Sequence, residues 1–209
     1  MKYESLIFDI DGTLWDTREA AAASYNRQME EDGYGHLAVT AERLLPLFGK
    51  TLPEIADIIF DTVPKPRRYK LVEDCSARLL ADLVTDPSST GFPGVAETME
   101  KLAKNHRLFI VSNSDRGYPE IAINKLGIGH LISGHMCYGD TLKSKGYTIR
   151  KLMETHGIEN GVYIGDTQGD YLATVEADVP FIWCSYGFGT PDSYVAKLER
   201  FSDLLTVIE

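Results

Sequence analysis

The stretch "LIFDIDGTLWD", residues 6–16, decides the fold, because it takes a short apolar run directly into two aspartates. The residues before Asp9 predict a buried strand that begins near Ser5. Only Ile10 separates Asp9 from Asp11, so on an extended backbone the two carboxylates lie on the same face. Gly12 lets the chain turn at once after them. The sequence therefore predicts a strand that ends on two carboxylates able to act on one reacting atom.

Strand and helix signals alternate in the second half of the chain. Strands are predicted over 108–112, within 130–139, over 162–165 and over 181–184. The predicted helices cover 94–105, a segment after the first of these strands that ends near residue 126, 146–156 and 170–177. An amphipathic segment from Asp192 closes the chain. This alternation is typical of βαβ units and predicts an α/β fold with a doubly wound, Rossmann-like parallel sheet. The first strand lacks a nearby partner, so we expect it to insert into this later sheet.

The region between Thr17 and about residue 84 has helix signals and no convincing strand. The spacing of Thr51 and Glu54 is that of a capping box, and the isoleucines at 55, 58 and 59 are expected on one face of the helix that follows. Four helices are expected in this region. We therefore predict a catalytic core of residues 1–14 and 86–209 with an inserted helical cap domain of residues 15–85. A turn-rich stretch at 86–94 follows the insertion and opens the second part of the core.

Composition restricts the kinds of partner. The formal net charge is −10 and there is no long basic run, which argues against a nucleic-acid-binding face. No apolar stretch is long enough for a membrane span. The three cysteines, Cys75, Cys137 and Cys184, are far apart in the sequence, which fits reduced thiols. We expect a soluble cytoplasmic protein that binds neither nucleic acid nor membrane, and its oligomeric state is not determined by these features.

Polar side chains stand at the predicted carboxyl ends of the strands, where doubly wound sheets bind their ligands. Clustered carboxylates repel one another unless a cation lies among them, and oxygen ligands favour a hard ion such as Mg²⁺. We therefore expect a metal site that handles a phosphate. Its candidate residues are Asp9, Asp11, Ser112, Asn113, Asp166 and Asp170, with Lys143 or Lys145 before the next helix.

Several of these residues, taken singly, allow another interpretation. A calcium loop aligned on Gly12 would place Ile7 at its first ligand position and Arg18 at its last, so that interpretation fails. Ser112 alone could cap a helix, and Asp170 alone could be an acid that favours a helix N-terminus. The glycines of residues 185–190 do not form a dinucleotide-binding fingerprint, so no Rossmann cofactor is indicated.

Four segments together resemble the motifs of the haloacid dehalogenase-like hydrolase superfamily. They are "DIDGTLWD" at 9–16, "IVSNS" at 110–114, the lysine near 145 and "GDTQGD" at 165–170. Their order and the helical insertion after the first motif resemble the phosphoglycolate-phosphatase-like branch, which has an α-helical cap. The resemblance covers essentially the whole chain.

The resemblance implies specific catalytic roles. Asp9 would be the nucleophile that forms an aspartyl-phosphate, and Asp11 would protonate the leaving oxygen and then activate water. Ser112, with Asn113 beside it, would hydrogen-bond the phosphoryl group.

The resemblance also implies a lysine that bridges the nucleophile and the phosphate. The family usually has lysine followed by proline, whereas "KSKGYTI" offers two lysines and a glycine. Lys145 is preferred over Lys143 because it directly precedes the helix. The implied Mg²⁺ ligands are Asp9, the main-chain carbonyl of Asp11, Asp166 and, in a supporting role, Asp170.

The sequence thus predicts a Mg²⁺-dependent phosphatase that acts on a small phosphorylated metabolite. The alternatives are a phosphomutase, in which a sugar and not water intercepts the phosphoenzyme, and a binding protein that keeps the fold without turnover. Asp11 argues against a dehalogenase and a phosphonatase. The physiological substrate is not determined by the motifs.

Overall fold

The computed structural model describes residues 3–86 and 91–208. Two compact units can be distinguished: one contains the residues up to Asp16 and those from Ser89 onward, and the other is Thr17–Ser88. Residues 87–90 of the expected turn-rich stretch lie outside the described residues. Within the described ranges, no helix has both the length and the apolar character needed to cross a membrane.

The first unit contains a six-stranded sheet in which every pair of neighbouring strands is parallel. The strand order is β3-β2-β1-β4-β5-β6. The first strand lies between the second and the fourth, so the predicted insertion of this strand and the predicted doubly wound sheet are confirmed. The strands are β1 (Ser5–Phe8), β2 (Arg107–Ser112), β3 (Ile132–Cys137), β4 (Gly161–Gly165), β5 (Phe181–Cys184) and β6 (Ala196–Leu198).

The register of the central strands fixes the position of their carboxyl ends. Phe8, the last residue of β1, is opposite Ile110 on one side and Ile164 on the other. All four residues of β1 are buried, which agrees with the apolar character of the three after Ser5 and with a strand covered on both faces. Asp9 therefore leaves the sheet between the ends of β2 and β4.

Helices separate the strands of this unit. Numbered in chain order after four in the other unit, they are α5 (Val95–Leu102), α6 (Tyr118–Lys125), α7 (Tyr138–Thr141), α8 (Lys145–His156), α9 (Gln168–Ala177) and α10 (Leu204–Val207). The closing segment differs from the expected amphipathic stretch, because it contains the edge strand β6 before α10. Three residues are too few for an alternating pattern to stand out in the sequence.

The second unit is helical, and its helices are α1 (Arg18–Glu31), α2 (Ala41–Leu44), α3 (Leu52–Ile59) and α4 (Lys65–Thr85). The expected capping box of Thr51 and Glu54 is present at the start of α3. The expected apolar face of α3 was wrong in one position, because Ile58 is half exposed while Ala56 and Ile59 are buried. The buried stripe is centred near Ala56, and Ile58 lies about 200° around the helix from that residue. A role of this unit as a cap stays a prediction.

Candidate active site

Three strands deliver polar residues to the same edge of the sheet. Asp9 follows β1, and its main-chain N–H donates to the carbonyl of Ile164 in β4 at 2.9 Å. Ser112 is the last residue of β2, and Asp166 directly follows β4. Because the strands are parallel, their carboxyl ends share one edge, as the sequence predicts.

Asp9, Asp166 and Asp170 form what we call the carboxylate cluster. One oxygen of each side chain lies within 4.8 Å of one oxygen of each of the others, and all three residues are buried. The two residues of this cluster that come from the β4–α9 connection are only four positions apart, whereas Asp9 comes from the other end of the sequence. The fold thus brings together carboxylates that the sequence separates by more than 150 positions.

Lys145 is the cation that contacts the carboxylate cluster. Its Nζ donates to Oδ1 of Asp9 at 2.8 Å and to Oδ1 of Asp170 at 2.5 Å. Lys145 is the first residue of α8, which is capped by the Ser144 side chain accepting from the N–H of Tyr147. Lys143 is exposed. Of the two lysines that the sequence offered, the structure places Lys145 beside the nucleophile candidate.

Burial and mutual repulsion dominate the protonation of the cluster. Burial raises the pKa of Asp9 from 3.8 to about 7, although the Lys145 ammonium pulls it in the opposite direction. Burial, followed by the charges of Asp170 and Asp9, holds the pKa of Asp166 well above its ordinary value. Both shifts mean that the surroundings of the carboxylate cluster disfavour the ionised forms of Asp9 and Asp166.

In the pair of Lys145 and Asp170, both pKa shifts favour the charged forms. Burial opposes the charge on Lys145, but the carboxylates of Asp170 and Asp9 outweigh it and hold the lysine pKa well above its usual range. Burial alone would raise the pKa of Asp170, yet the Lys145 ammonium and hydrogen bonds from Thr167 outweigh burial and lower it. Lys145 and Asp170 are therefore an ion pair at neutral pH.

Asp170 also caps the helix in which it lies. Its Oδ2 accepts from the N–H of Thr167 at 2.9 Å, and its own N–H donates to the Thr167 hydroxyl at 3.1 Å. This is a capping box at the start of α9. Asp170 is therefore both an acid at a helix N-terminus and a member of the carboxylate cluster, which the sequence offered as alternatives. Thr167 was not predicted, although its spacing from Asp170 is the signal of a capping box.

The Asp166 carboxylate is oriented by a loop after β5. The main-chain N–H of Phe188 donates to Oδ2 of Asp166 at 2.7 Å. A Cβ atom on Gly187 would lie 2.4 Å from Cβ of Asp166, and one on Gly12 would lie 2.1 Å from its Oδ2. Gly12 also has a φ of 77°. These two glycines let the backbone approach the carboxylate. The part played by Gly187 is a function of the 185–190 loop that the sequence did not reveal.

Asp11 is held outside the carboxylate cluster. Its Oδ1 accepts from the Tyr118 hydroxyl at 2.6 Å and from the Trp15 indole N–H at 3.1 Å. Neither aromatic residue was among the sequence candidates. Trp15 is only four positions from Asp11, and that spacing alone was not taken as a signal, whereas Tyr118 is 107 positions away. Its predicted contribution to a metal site, through the main-chain carbonyl, stays a prediction.

The predicted phosphate ligands lie at the end of β2. Ser112 is buried, and its hydroxyl accepts from the N–H of Ser114 at 3.2 Å. Asn113 is half-buried and follows directly. Ser112 does not cap a helix here, since α6 begins only at Tyr118 and its N-cap is Gly117.

The residues present fit a divalent cation. Among the described residues, one lysine contacts the three buried carboxylates, so ionisation of all three would leave an excess of negative charge in the cluster. An all-oxygen donor set is the one that Mg²⁺ prefers. Burial, with repulsion between the carboxylates added to it, raises the pKa of Asp9 and of Asp166, and a cation bound there would favour the charged form of both groups.

The fold and the site together define a class: a doubly wound α/β protein whose carboxylates and one buried lysine meet at the carboxyl edge of a parallel sheet. A model of the haloacid dehalogenase-like hydrolase family matches residues 6–184. The chain belongs to this family, and the predicted membership and hydrolase class are confirmed.

Known relatives match over nearly the whole chain. A phosphoglycolate phosphatase of Photorhabdus laumondii is 28% identical, covering 98% of this chain and 92% of its own. A pyrophosphatase of Oceanobacillus iheyensis is 26% identical over 100% and 98% of the two chains. The crystal structure of a protein described as a predicted phosphoglycolate phosphatase from Haemophilus somnus superposes with a TM-score of 0.85, 20% identity and coverage of 100% and 99%.

Proposed function

We propose that this protein is a Mg²⁺-dependent phosphomonoesterase that acts on a small soluble metabolite through an aspartyl-phosphate intermediate. The observation that carries the proposal is the contact of Lys145 Nζ with Asp9 inside the buried carboxylate cluster. A buried lysine beside a buried carboxylate, close to two further carboxylates, is an arrangement suited to a polyanionic substrate. Membership in the hydrolase family supports the reaction type.

Asp9 is the proposed nucleophile. Its carboxylate oxygen attacks phosphorus, the new bond joins Asp9 to the phosphoryl group, and the bond to the leaving oxygen breaks. The strand places this carboxylate at the edge of the sheet, and Lys145 stabilises its negative charge. Lys145 also supplies a positive charge for the phosphoryl oxygens, on which charge is distributed during transfer.

Asp11 is the proposed acid and base. It gives its proton to the leaving oxygen in the first half of the reaction and takes a proton from the attacking water in the second. Water then cleaves the aspartyl-phosphate, releasing inorganic phosphate and restoring the Asp9 carboxylate. Ser112 and Asn113 are the proposed hydrogen-bond partners of the phosphoryl group.

Asp9 and Asp166 are the proposed ligands of Mg²⁺, with the Asp11 carbonyl and with Asp170 in support. When bound, the ion neutralises the negative charge shared by the cluster and the transferred phosphoryl group. Asp170 holds Lys145 and the start of α9 through its hydrogen bonds. Its contribution to the metal site is therefore partly that of an anchor for the other groups.

The names of the relatives direct the choice of substrate. Several matched proteins are phosphoglycolate phosphatases, which makes 2-phosphoglycolate the first phosphomonoester to test. Closure of the helical unit as a cap over the substrate, and a cytoplasmic location, are part of the proposal.

The test is release of inorganic phosphate from 2-phosphoglycolate and a panel of other small phosphomonoesters, with Mg²⁺ and with a chelator. Asp9→Asn removes the attacking charge at nearly constant volume, so turnover is expected to disappear while the far-ultraviolet circular dichroism is unchanged. Asp178→Asn is the matched control, because Asp178 is exposed at the end of α9. Its activity is expected to equal that of the wild type.

Wild-type rates in Asp9→Asn would contradict the nucleophile assignment. If no ester in the panel releases phosphate, the phosphatase proposal fails and the binding-protein alternative gains support. Transfer of the phosphoryl group to a second sugar position, without free phosphate, would identify the phosphomutase alternative.

A further inference from the structure

We propose that Tyr118, together with Trp15, is a positioning residue that holds the Asp11 carboxyl in the orientation required for proton transfer. The proposal deepens the function proposed above and rests on it. Both aromatic side chains donate to the same oxygen of Asp11: the Tyr118 hydroxyl at 2.6 Å and the Trp15 indole N–H at 3.1 Å. Two donors from different parts of the chain thus fix one atom of this carboxyl group.

The two donors form a buried aromatic pair. The rings of Trp15 and Tyr118 pack edge to face, with centroids 5.4 Å apart and an interplanar angle of 75°. Trp15 is completely buried and Tyr118 is nearly so. Close packing allows few rotamers at such positions, so the donors themselves are held in place.

The backbone on both sides supports the pair. Trp15 accepts from the N–H of Gly12 at 2.9 Å, which closes the turn directly after the two aspartates, and it also forms a bridge with Gly91. Tyr118 is the first residue of α6 and follows Gly117, which has a φ of 90°. Each aromatic residue is therefore attached to a conformationally defined turn.

Positioning has a direct chemical consequence. Donors on Oδ1 favour the acidic proton on Oδ2, so the carboxyl group can present that proton in one direction. During formation of the aspartyl-phosphate, this proton moves to the leaving oxygen as its bond to phosphorus breaks. Tyr118 neither gains nor loses a proton in this step. Removal of the Tyr118 hydroxyl should therefore lower the rate of phosphoryl transfer most for substrates whose leaving oxygen must be protonated.

The test uses Tyr118→Phe, which removes only the hydroxyl oxygen, and two aryl esters with different leaving groups. Phenyl phosphate has a poor leaving group, whereas the phenolate of 2,4-dinitrophenyl phosphate departs without protonation. We expect kcat/KM, which covers the steps up to phosphoryl transfer, to fall on the order of 10-fold for phenyl phosphate and to stay within about twofold for the dinitrophenyl ester. The same selective loss is expected for Trp15→Phe.

Two further variants separate positioning from a general structural effect. In the Asp11→Asn background, addition of Tyr118→Phe is expected to cause no further loss, because the group it positions is already absent. Tyr69→Phe is the matched control: its hydroxyl donates to the Asp57 carboxylate at 3.2 Å within the helical unit. This variant is expected to hydrolyse both esters at the wild-type rate.

Equal losses on the two esters, an additive loss in the double variant, or a faster reaction of Tyr118→Phe would overturn the assignment while leaving the proposed phosphatase intact. Absence of Asp9-dependent phosphate release by the wild-type protein from these two esters and from every ester of the metabolite panel would overturn the proposed function and this assignment together.

Discussion

Among the described residues, Lys145 is the one lysine or arginine classed as buried. It contacts two carboxylates, and both contacts lie inside the protein. A buried charge is tolerated only when it is paired, so the side chains of this group depend on one another. Lys145 therefore stabilises the fold and contributes to the site through the same two contacts.

Replacing Lys145 by methionine should abolish turnover and destabilise the protein. Removal of one partner of a buried ion pair leaves an uncompensated charge and costs about 3 to 5 kcal/mol of unfolding free energy. Urea unfolding and phosphate release measure the two effects. Lys143→Met provides the control, because Lys143 is exposed, and it should be close to wild type in both measurements. Equal effects of the two substitutions would refute the assignment of Lys145.

The sequence identified Lys145 as the better of the two lysine candidates, but it did not show what this lysine contacts. The position of Lys145 directly before a helix favoured it, but the adjacent sequence departs from the family pattern. Only the folded chain shows Lys145 directed at Asp9, a residue 136 positions away. The contact of Asp11 with Tyr118 was not predictable, because Tyr118 is 107 positions away and its hydroxyl follows no spacing rule.

At the scale of elements, α9 connects helix capping to the site. Thr167 and Asp170 cap this helix reciprocally, and Asp170 also accepts from Lys145. The capping box thus fixes one carboxylate of the cluster at the N-terminus of a helix, where negative charge is favoured.

Thr167→Ala should lower the free energy of unfolding by about 1 kcal/mol and weaken Mg²⁺ binding. The second effect follows because Asp170 loses hydrogen bonds that orient it. Thr51→Ala removes the capping residue of α3 in the helical unit and is the matched control. It should lose similar stability and bind Mg²⁺ as the wild type does, by isothermal titration calorimetry. Unchanged Mg²⁺ affinity in Thr167→Ala would mean that the cap and the cluster are independent.

Periodicity predicted most elements because strands and helices of ordinary length leave clear patterns. The strands around the site were predicted on this basis, and the capping box of α3 was predicted from the spacing of Thr51 and Glu54. The edge strand β6 was missed because it has only three residues. The exposure of Ile58 was missed because periodicity defines a helical face only to within about one residue.

For the whole molecule, the buried carboxylates of the core unit link its stability to pH and to the proposed cation. Without one, burial raises the pKa of Asp9 from 3.8 to about 7. The unfolded chain then releases this proton at lower pH than the folded chain, so the stability that the protonated group provides is lost as pH rises from 3.8 to about 7. A cation that binds the carboxylates should reverse this loss at neutral pH.

Mg²⁺ should therefore raise the melting temperature at neutral pH, and Asp166→Asn should remove that increase. The same substitution should raise the melting temperature of the metal-free protein, because a neutral amide eliminates a charge that burial and repulsion disfavour. Differential scanning calorimetry with Mg²⁺ and with a chelator measures both effects. An Asp166→Asn variant that Mg²⁺ still stabilises as strongly as the wild type would show that the ion binds elsewhere.

The arrangement of the whole site was predictable to the level of the sheet edge. Parallel strands bring their carboxyl ends together, so Asp9, Ser112 and Asp166 were expected at one edge of the sheet without knowledge of their side-chain contacts. The rule does not define which loops support the edge. The contact of the Phe188 N–H with Asp166, and the glycines that permit close approach there, depend on a loop path that local sequence does not specify.

Asp9 is the proposed acceptor of the phosphoryl group, and chemical trapping detects that group on the side chain itself. The enzyme is quenched with acid during turnover of a phosphomonoester, reduced with borohydride, digested and analysed by mass spectrometry. An acyl phosphate on Asp9 would be reduced to homoserine, and we predict homoserine at position 9 only when substrate is present. Turnover without any modification of residue 9, or homoserine in place of another aspartate, would contradict the assignment of Asp9 as the nucleophile.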